Sequence, residues 1–207
     1  MSYLIYSTKI AKYLVKKTNL TKEKEEVLAY AIEVLSLNLL NVGLTVLIGY
    51  LLGVLPGTLV CLLTVFAVRT FSGGAHSDSP WRCAAITALI FPIMALLAKQ
   101  TMAFINPISI DIFLAASFIT SLFTAFVLAP VDSPSAPIIS VKRRRKLKLL
   151  SMLSLTIIGV IAVLSRYGFI TGNTELHLCI AFGALWSSFI LTPIGHSFFR
   201  AFDGLKY

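Results

Sequence analysis

Long apolar runs separated by short polar connections form most of the chain. The runs at 27–52, 58–71, 83–98, 112–129, 149–165 and 176–194 are the candidate spans. About 20 apolar residues carry a helix across the roughly 30 Å hydrocarbon core. The pattern therefore predicts an all-α, polytopic membrane helical bundle of about six spans. Because a sixteen-residue run such as 83–98 rises only about 24 Å, the ends of the second and third helices and the loop between them are expected to sit below the membrane surface. A re-entrant pair is the alternative to two spans.

The N-terminal segment has a different pattern. Residues 3 to 17 place aromatic and aliphatic side chains at helical spacing, and Lys9, Lys12 and Lys16 fall on another face. This indicates an amphipathic helix on the inner membrane surface. We expect one integral membrane domain over 1–207, in which 1–26 is a cytoplasmic amphipathic and charged N-terminus and 27–207 is the transmembrane core.

Composition supports a membrane protein and orients it. The chain is 57% hydrophobic and 13% charged, with a net charge of +9. With six spans and both termini inside, sixteen of the eighteen Lys and Arg residues are cytoplasmic, and only Lys99 and Arg166 are outside. Cytoplasmic basic loops explain the charge, so we expect no nucleic-acid partner. We also expect no metal or other cofactor, because the three cysteines lack metal-site spacing, and no secretory signal peptide is visible.

One polar stretch, from Arg69 to Cys83, interrupts the second and third apolar runs. Gly73-Gly74 predicts the end of one helix, since glycine enters the left-handed conformation without steric cost. Ser79-Pro80 predicts the start of the next, with serine as N-cap and proline at the first helical position. Cys83 is then expected in the first helical turn, where the helix dipole and the adjacent Arg82 favour a thiolate.

Spacing constrains how His76 and Cys83 can meet. In one unbroken helix, residues seven apart lie about 10.5 Å apart along the axis, too far for proton transfer at about 3 Å. A loop between the helices lets His76 fold back over the helix start and form a Cys-His pair. Asp78 or Ser77 then orients His76, or Asp78 only caps the helix. Purely structural roles for His76 and Cys83 remain the alternative.

The string Arg69-x-x-x-Gly73-Gly74-x-His76 followed by Cys83 resembles the signature of the AgrB family, the accessory gene regulator B membrane endopeptidases. The similarity extends over essentially the whole chain and includes Ala129-Pro130-x-Asp132 before a basic run. It implies a bacterial cell-membrane cysteine peptidase in which Cys83 is the nucleophile and His76 its base. The implied substrate is the precursor of a cyclic quorum-sensing peptide, cleaved near its C-terminal side through a thioester and closed to a thiolactone or lactone. The implied active site is cytoplasmic.

Other polar residues have alternative roles. Glu33, Asn38 and Asn41 are expected to point into the bundle, joining helices or lining the active site. Arg69 pairs with a carboxylate of the precursor or of Glu33, or extends to the interface. A basic run fixes topology and contacts anionic lipid, or attracts an acidic precursor tail; its first four members are Lys142, Arg143, Arg144 and Arg145.

The remaining predictions concern the other cysteines and competing functions. Cys61 and Cys179 are expected to be packing residues. His177 lies at the outer end by topology, whereas His196 lies at the inner end and is a weak alternative base. A homodimer is plausible from small-residue helix faces. A small transporter with a polar gate, or a non-enzymatic scaffold, is the competing function, and tolerance of Cys83→Ala distinguishes either from a peptidase.

Overall fold

The computed structural model describes residues 5–18, 21–75, 77, 79–132, 138–168 and 173–204. In these residues the regular structure is helical, as the apolar runs predict. The helices are α1 (Ile5–Thr18), α2 (Lys22–Leu51), α3 (Leu55–Ser72), α4 (Pro80–Thr101), α5 (Pro107–Leu128), α6 (Val141–Arg166), α7 (Thr174–Phe189) and α8 (Pro193–Asp203). Helices α2 to α6 are each long and apolar enough to cross a membrane, and α7 with α8 forms a bent pair that counts as a sixth candidate. The chain is a multi-pass membrane protein.

The chain forms two compact units, Met1–Leu44 and Thr45–Tyr207. In the first, Glu33 is buried and Asn41 is half-buried, but Asn38 is exposed. The expectation that all three point inward is therefore wrong for Asn38. At 100° per residue, Asn38 is about 140° around the helix from Glu33, whereas Asn41 is about 80° away, so only the latter pair shares a face.

Small residues bring α3 and α7 together in the core of the second unit. A Cβ on Gly183 would lie 2.9 Å from the Thr64 side chain, and one on Gly57 would lie 2.9 Å from the Cys179 sulfur. Cys61 and Cys179 are fully buried, and the Cys61 thiol donates to the Cys179 carbonyl oxygen at 3.4 Å. Both cysteines are packing residues, as predicted, and this close helix contact is typical of membrane bundles.

Several helices extend beyond their apolar runs. α3 has 18 residues and α4 has 22, which corresponds to about 27 and 33 Å of rise. Because polar and proline-containing ends belong to the helices, the expectation of a rise below the roughly 30 Å hydrocarbon core is wrong for α4, whereas α3 stays slightly below that length. Both helices are candidate spans. The basic run is likewise helical and is not a connector: α6 begins at Val141, and the Ser140 side chain caps it by accepting from the Arg143 N–H.

The last apolar run is not one continuous helix. α7 ends at Phe189, and α8 begins at Pro193 after an 81° bend. Thr192 caps α8, since its side chain accepts from the Gly195 N–H at 3.2 Å. The residues after the bend thus form a separate amphipathic helix.

Candidate functional site

The end of α3 is fixed by glycine, as predicted. Gly73 is the C-cap residue with φ 68°, and its N–H donates to the Arg69 carbonyl at 3.0 Å. A Cβ at this position would overlap the Val131 carbonyl oxygen. The Val131 N–H in turn donates to the Ser72 carbonyl at 2.9 Å, so the segment after α5 pairs with the end of α3. Only glycine provides both the left-handed conformation and the close approach.

The loop after Gly73 is held through its backbone. The Ala75 N–H donates to the Ile190 carbonyl at 2.7 Å, and the Arg69 Nη2 donates to the Ala75 carbonyl at 2.9 Å. Gly74 lies at φ 127°, and a Cβ there would lie 3.0 Å from the Ile190 side chain. Arg69 therefore fixes the loop, a role that the sequence analysis did not consider.

α4 begins at Pro80, as predicted, but the Ser79 side chain does not make the predicted capping hydrogen bond. Ser79 has the extended N-cap backbone, but its side chain makes no cap hydrogen bond; its N–H donates instead to the Ser77 Oγ at 3.2 Å. The first helical turn is closed by the Cys83 N–H, which donates to the Ser79 carbonyl at 3.0 Å. Cys83 is half-buried in this turn, where the positive end of the helix dipole makes the local field positive.

Two arginines are associated with Cys83, one as its neighbour in sequence and one through an electrostatic interaction. Arg82 precedes it in the chain, and the Arg69 guanidinium is close enough to interact electrostatically with the Cys83 side chain. Cationic groups and a helix N-terminus are the surroundings in which cysteine acts as a nucleophile. This arrangement can support thiolate chemistry at Cys83.

Asp203, at the end of α8, is a site residue that the sequence analysis missed. The Ser77 hydroxyl donates to its carboxylate. The Arg82 Nη1 lies 3.7 Å from the same carboxylate and donates to the Asp203 carbonyl at 2.6 Å. One sequence signal was present, because Thr192-Pro193 repeats the Ser79-Pro80 pattern of a helix start. It predicts an additional helix, although not its contacts.

A cavity of about 310 Å³ adjoins the loop. Arg69 and Arg143 contribute its two cationic side chains, and the other lining residues are Thr70, Phe71, Gly73, Gly74, Pro130, Val131, Ile138 and Leu147. Arg144 points elsewhere, pairing with Asp132 at 2.7 Å, and Lys142 and Arg145 are exposed. Of the four basic residues singled out from the sequence, only Arg143 lines this cavity.

The structure relates only some of the predicted site residues to one another. His76 and Asp78 lie outside the described residues. Glu33 belongs to the unit Met1–Leu44, whereas Arg69 and Cys83 belong to Thr45–Tyr207. Among the described residues, no group of three or more His, Cys, Asp or Glu side chains is arranged to hold a metal ion.

Comparison with known proteins connects this geometry with a family. The family model described as Accessory gene regulator B matches residues 7–191. The chain is 28% identical to "Putative AgrB-like protein 2" of Clostridium perfringens strain 13, over 94% of this chain and 93% of the relative. It is 24% identical to a "Putative AgrB-like protein" of Listeria monocytogenes serotype 4a, over 94% and 90% of the two chains. No solved structure matches the chain.

Proposed function

The chain belongs to the accessory gene regulator B family, and on that premise we propose that it is a membrane cysteine endopeptidase. Its substrate is the precursor of a quorum-sensing autoinducing peptide, cleaved near the C-terminal side. Cys83 is the nucleophile and His76 the general base.

The observation that carries this proposal is the location of Cys83. It lies half-buried in the first turn of α4, after a loop whose backbone is fixed by Arg69 and Ile190. Cys61 and Cys179, by contrast, are fully buried in the helix core. Of the three cysteines, only Cys83 combines partial exposure with a helix N-terminus, as a reactive cysteine requires.

The proposed reaction begins with transfer of the Cys83 thiol proton to His76. The thiolate attacks the carbonyl carbon of the scissile peptide bond, and the resulting oxyanion collapses as His76 returns the proton to the departing amine. The products of this step are a thioester on Cys83 and the free C-terminal fragment. A thiol or hydroxyl of the precursor then attacks the thioester, loses its proton to His76 and releases Cys83, giving a thiolactone or lactone.

A backbone N–H group at the start of α4 is the proposed oxyanion donor. Pro80 has no N–H, and the Cys83 N–H already donates to Ser79. The N–H group of Trp81, in the first turn of α4, is the proposed donor to the developing oxyanion. Asp78 is retained as a possible orienting group for His76.

Ring closure competes with hydrolysis, so the thioester must be kept from water. The loop that carries the site joins the end of α3 to the start of α4, so the site would lie at the edge of the hydrocarbon layer. That position would limit the access of water to the thioester. We propose that this edge is the cytoplasmic one, with both termini on the same side, since the basic residues cluster there.

The cavity beside the loop is the proposed contact for an acidic precursor tail. Arg69 and Arg143 both line it, and two guanidinium groups suit carboxylate recognition. The exposed Lys142 and Arg145 attract the tail at longer range or contact anionic lipid. We retain a homodimer as part of the proposal.

The decisive experiment is co-expression with a tagged candidate precursor, comparing wild type, Cys83→Ser, His76→Ala and Cys179→Ala. We expect cleavage in wild type and Cys179→Ala and none in the other two. Precursor left intact by wild type would overturn the peptidase proposal. Undiminished cleavage by Cys83→Ser would remove Cys83 as the nucleophile.

A further inference from the structure

The C-terminal helix α8 contacts the loop on which the proposed chemistry depends. We propose that α8 is a brace for this loop and that Asp203 is a positioning residue, which sets the relative placement of the chain around residue 76 and the start of α4. The inference rests on the proposed function only where cleavage of the precursor is measured.

Asp203 makes contacts on both sides of the loop. Its carboxylate accepts a hydrogen bond from Ser77, and Arg82 contacts both its carboxylate and its carbonyl. Ser77 is joined onward to α4, because its Oγ accepts from the Ser79 N–H. One aspartate therefore ties the end of the loop to the first turn of α4.

These contacts are protected from solvent. The Asp203 side chain is 16% exposed, and Ser77 is 4% exposed. Hydrogen bonds to an ionised carboxylate are stronger than those between neutral groups. Removal of the acceptor of a buried hydroxyl group destabilises the folded state. The loop is therefore sensitive to removal of this one carboxylate.

Packing holds α8 in place so that Asp203 acts from a fixed position. Phe199 on α8 is buried together with Ala75, Ile86 and Ile190. Phe198 adds ring contacts to Trp186, at 6.2 Å between centroids, and to Phe189, at 5.7 Å. The apolar face of α8 thus packs on the end of α7, on α4 and on the loop itself.

The anchored residues are the immediate neighbours of the two proposed catalytic residues. Ala75 and Ser77 flank residue 76, and they bond to Ile190 and Asp203 respectively. Arg82 directly precedes Cys83. The bend between α7 and α8, together with the end of α8, therefore holds both flanks of the base and one flank of the nucleophile. The match to the family model ends at residue 191, so α8, which begins at Pro193, lies beyond it.

Amide hydrogen exchange on the full chain in detergent tests the brace without any substrate. We expect Asp203→Ala and Ser77→Ala to accelerate exchange of a peptide covering 73–83 by about tenfold, because local opening becomes less costly. Asp111→Asn is the matched control: it removes an ion pair between Asp111 and Arg166 and should leave this peptide unchanged. Unchanged exchange in Asp203→Ala would overturn the brace.

Cleavage kinetics then separate positioning from simple folding. Misplacement by about 1 Å can reduce turnover by roughly 100-fold, so we expect Asp203→Ala to lower kcat by this order while KM stays within about threefold. Asp203→Glu should recover part of the loss because it restores a carboxylate. The Ser77→Ala/Asp203→Ala double variant should lose less than the product of the two single losses, since Ser77 and Asp203 share one hydrogen bond.

Each outcome has a distinct meaning. Independent, multiplicative losses in the double variant, or a loss confined to KM, would overturn the positioning role. If wild type cleaves no precursor, the proposed function fails, and hydrogen exchange still decides whether α8 braces the loop. Should Asp203→Ala not accumulate in the membrane, Asp203→Asn replaces it, because the amide oxygen still accepts from Ser77 while the charge opposite Arg82 is lost.

Discussion

The two ends of the unit Thr45–Tyr207 are held together in different ways. At the end that contains Cys83, which we term the site end, backbone groups of distant segments bond directly: Val131 to Ser72, and Ala75 to Ile190. At the opposite end, contacts between side chains connect the described helices. Arg166 pairs with Asp111 at 2.6 Å, and Ser165 lies 2.8 Å from the His177 Nε2.

The difference shows what the site end requires. Side-chain contacts between helix ends tolerate small shifts, because side chains can change rotamer. Backbone contacts such as that of Gly73 with Val131 leave no room for a Cβ. At the site end the position of Gly73 is therefore fixed, as preorganised chemistry requires, whereas side chains connect the helices at the opposite end.

The largest expected effect is the difference in cleavage between variants of Cys83 and of the buried Cys61. Cys83→Ser should reduce cleavage of the precursor by about 1,000-fold or more, since loss of a nucleophile removes the covalent step. Cys61→Ala, in the buried contact with Cys179, should retain cleavage within about threefold and lower stability slightly. The measurement is product formation per mole of folded enzyme. Equal losses in both variants would contradict the distinction.

A matched pair of glycines tests the two ends directly. Gly73 has φ 68° and Gly53, at the opposite end, has φ 65°. Alanine at either position carries the left-handed penalty of about 1 kcal/mol, but only at Gly73 does the Cβ meet Val131, while nothing lies within 4 Å at Gly53. We expect Gly73→Ala to lose roughly 100-fold in cleavage and Gly53→Ala to remain active.

The readouts for this pair are cleavage and thermal unfolding in detergent. Similar unfolding temperatures with different activities would locate the effect in the loop. If Gly53→Ala were as inactive as Gly73→Ala, the proposed difference between the ends would be wrong.

A smaller effect is expected for the arginines on α6. Arg143→Gln should raise KM for an acidic precursor by about fivefold to tenfold, since one charge-assisted contact contributes about 1 to 2 kcal/mol. Arg145→Gln, which changes an exposed residue on the same helix, is the control and should shift KM less than about twofold at physiological salt. Steady-state kinetics with the tagged precursor measure both. Equal shifts would indicate general attraction without a specific pocket.

The smallest effects concern ion pairs at the two ends. The Arg144 and Asp132 side chains are 48% and 34% exposed, whereas Arg166 is 17% exposed in its pair with Asp111. Arg144→Gln should cost less than about 1 kcal/mol of unfolding free energy, and Arg166→Gln should cost more. Denaturation in detergent at low and high salt measures both. A larger salt dependence for the Arg166 pair would contradict this ranking.

The features that the sequence predicts well are those fixed by local chemistry. The helix stop at Gly73, the helix start at Pro80 and the position of Cys83 in the first turn follow from backbone preferences of a few neighbouring residues. The packing role of Cys61 follows from the apolar run around it.

The features that the sequence does not predict depend on distant contacts. Ser77 and Asp203 are 126 positions apart, and no local pattern pairs them. The exposure of Asn38 depends on helix phase, which a count of polar residues in a span does not give. Arg69 bonding to Ala75 likewise follows from a loop conformation that glycine permits but does not specify.

The brace by α8 also has a consequence for biosynthesis. The loop between α3 and α4 is made early, but its partners Val131, Ile190 and Asp203 are added much later. Because chains are synthesised from the N-terminus, the nascent protein can insert α3 and α4 while their connecting loop still lacks these contacts. The loop between α3 and α4 then gains all these contacts only when α8 leaves the ribosome, so a chain that stops short of α8 would remain in the membrane without the contact to Asp203.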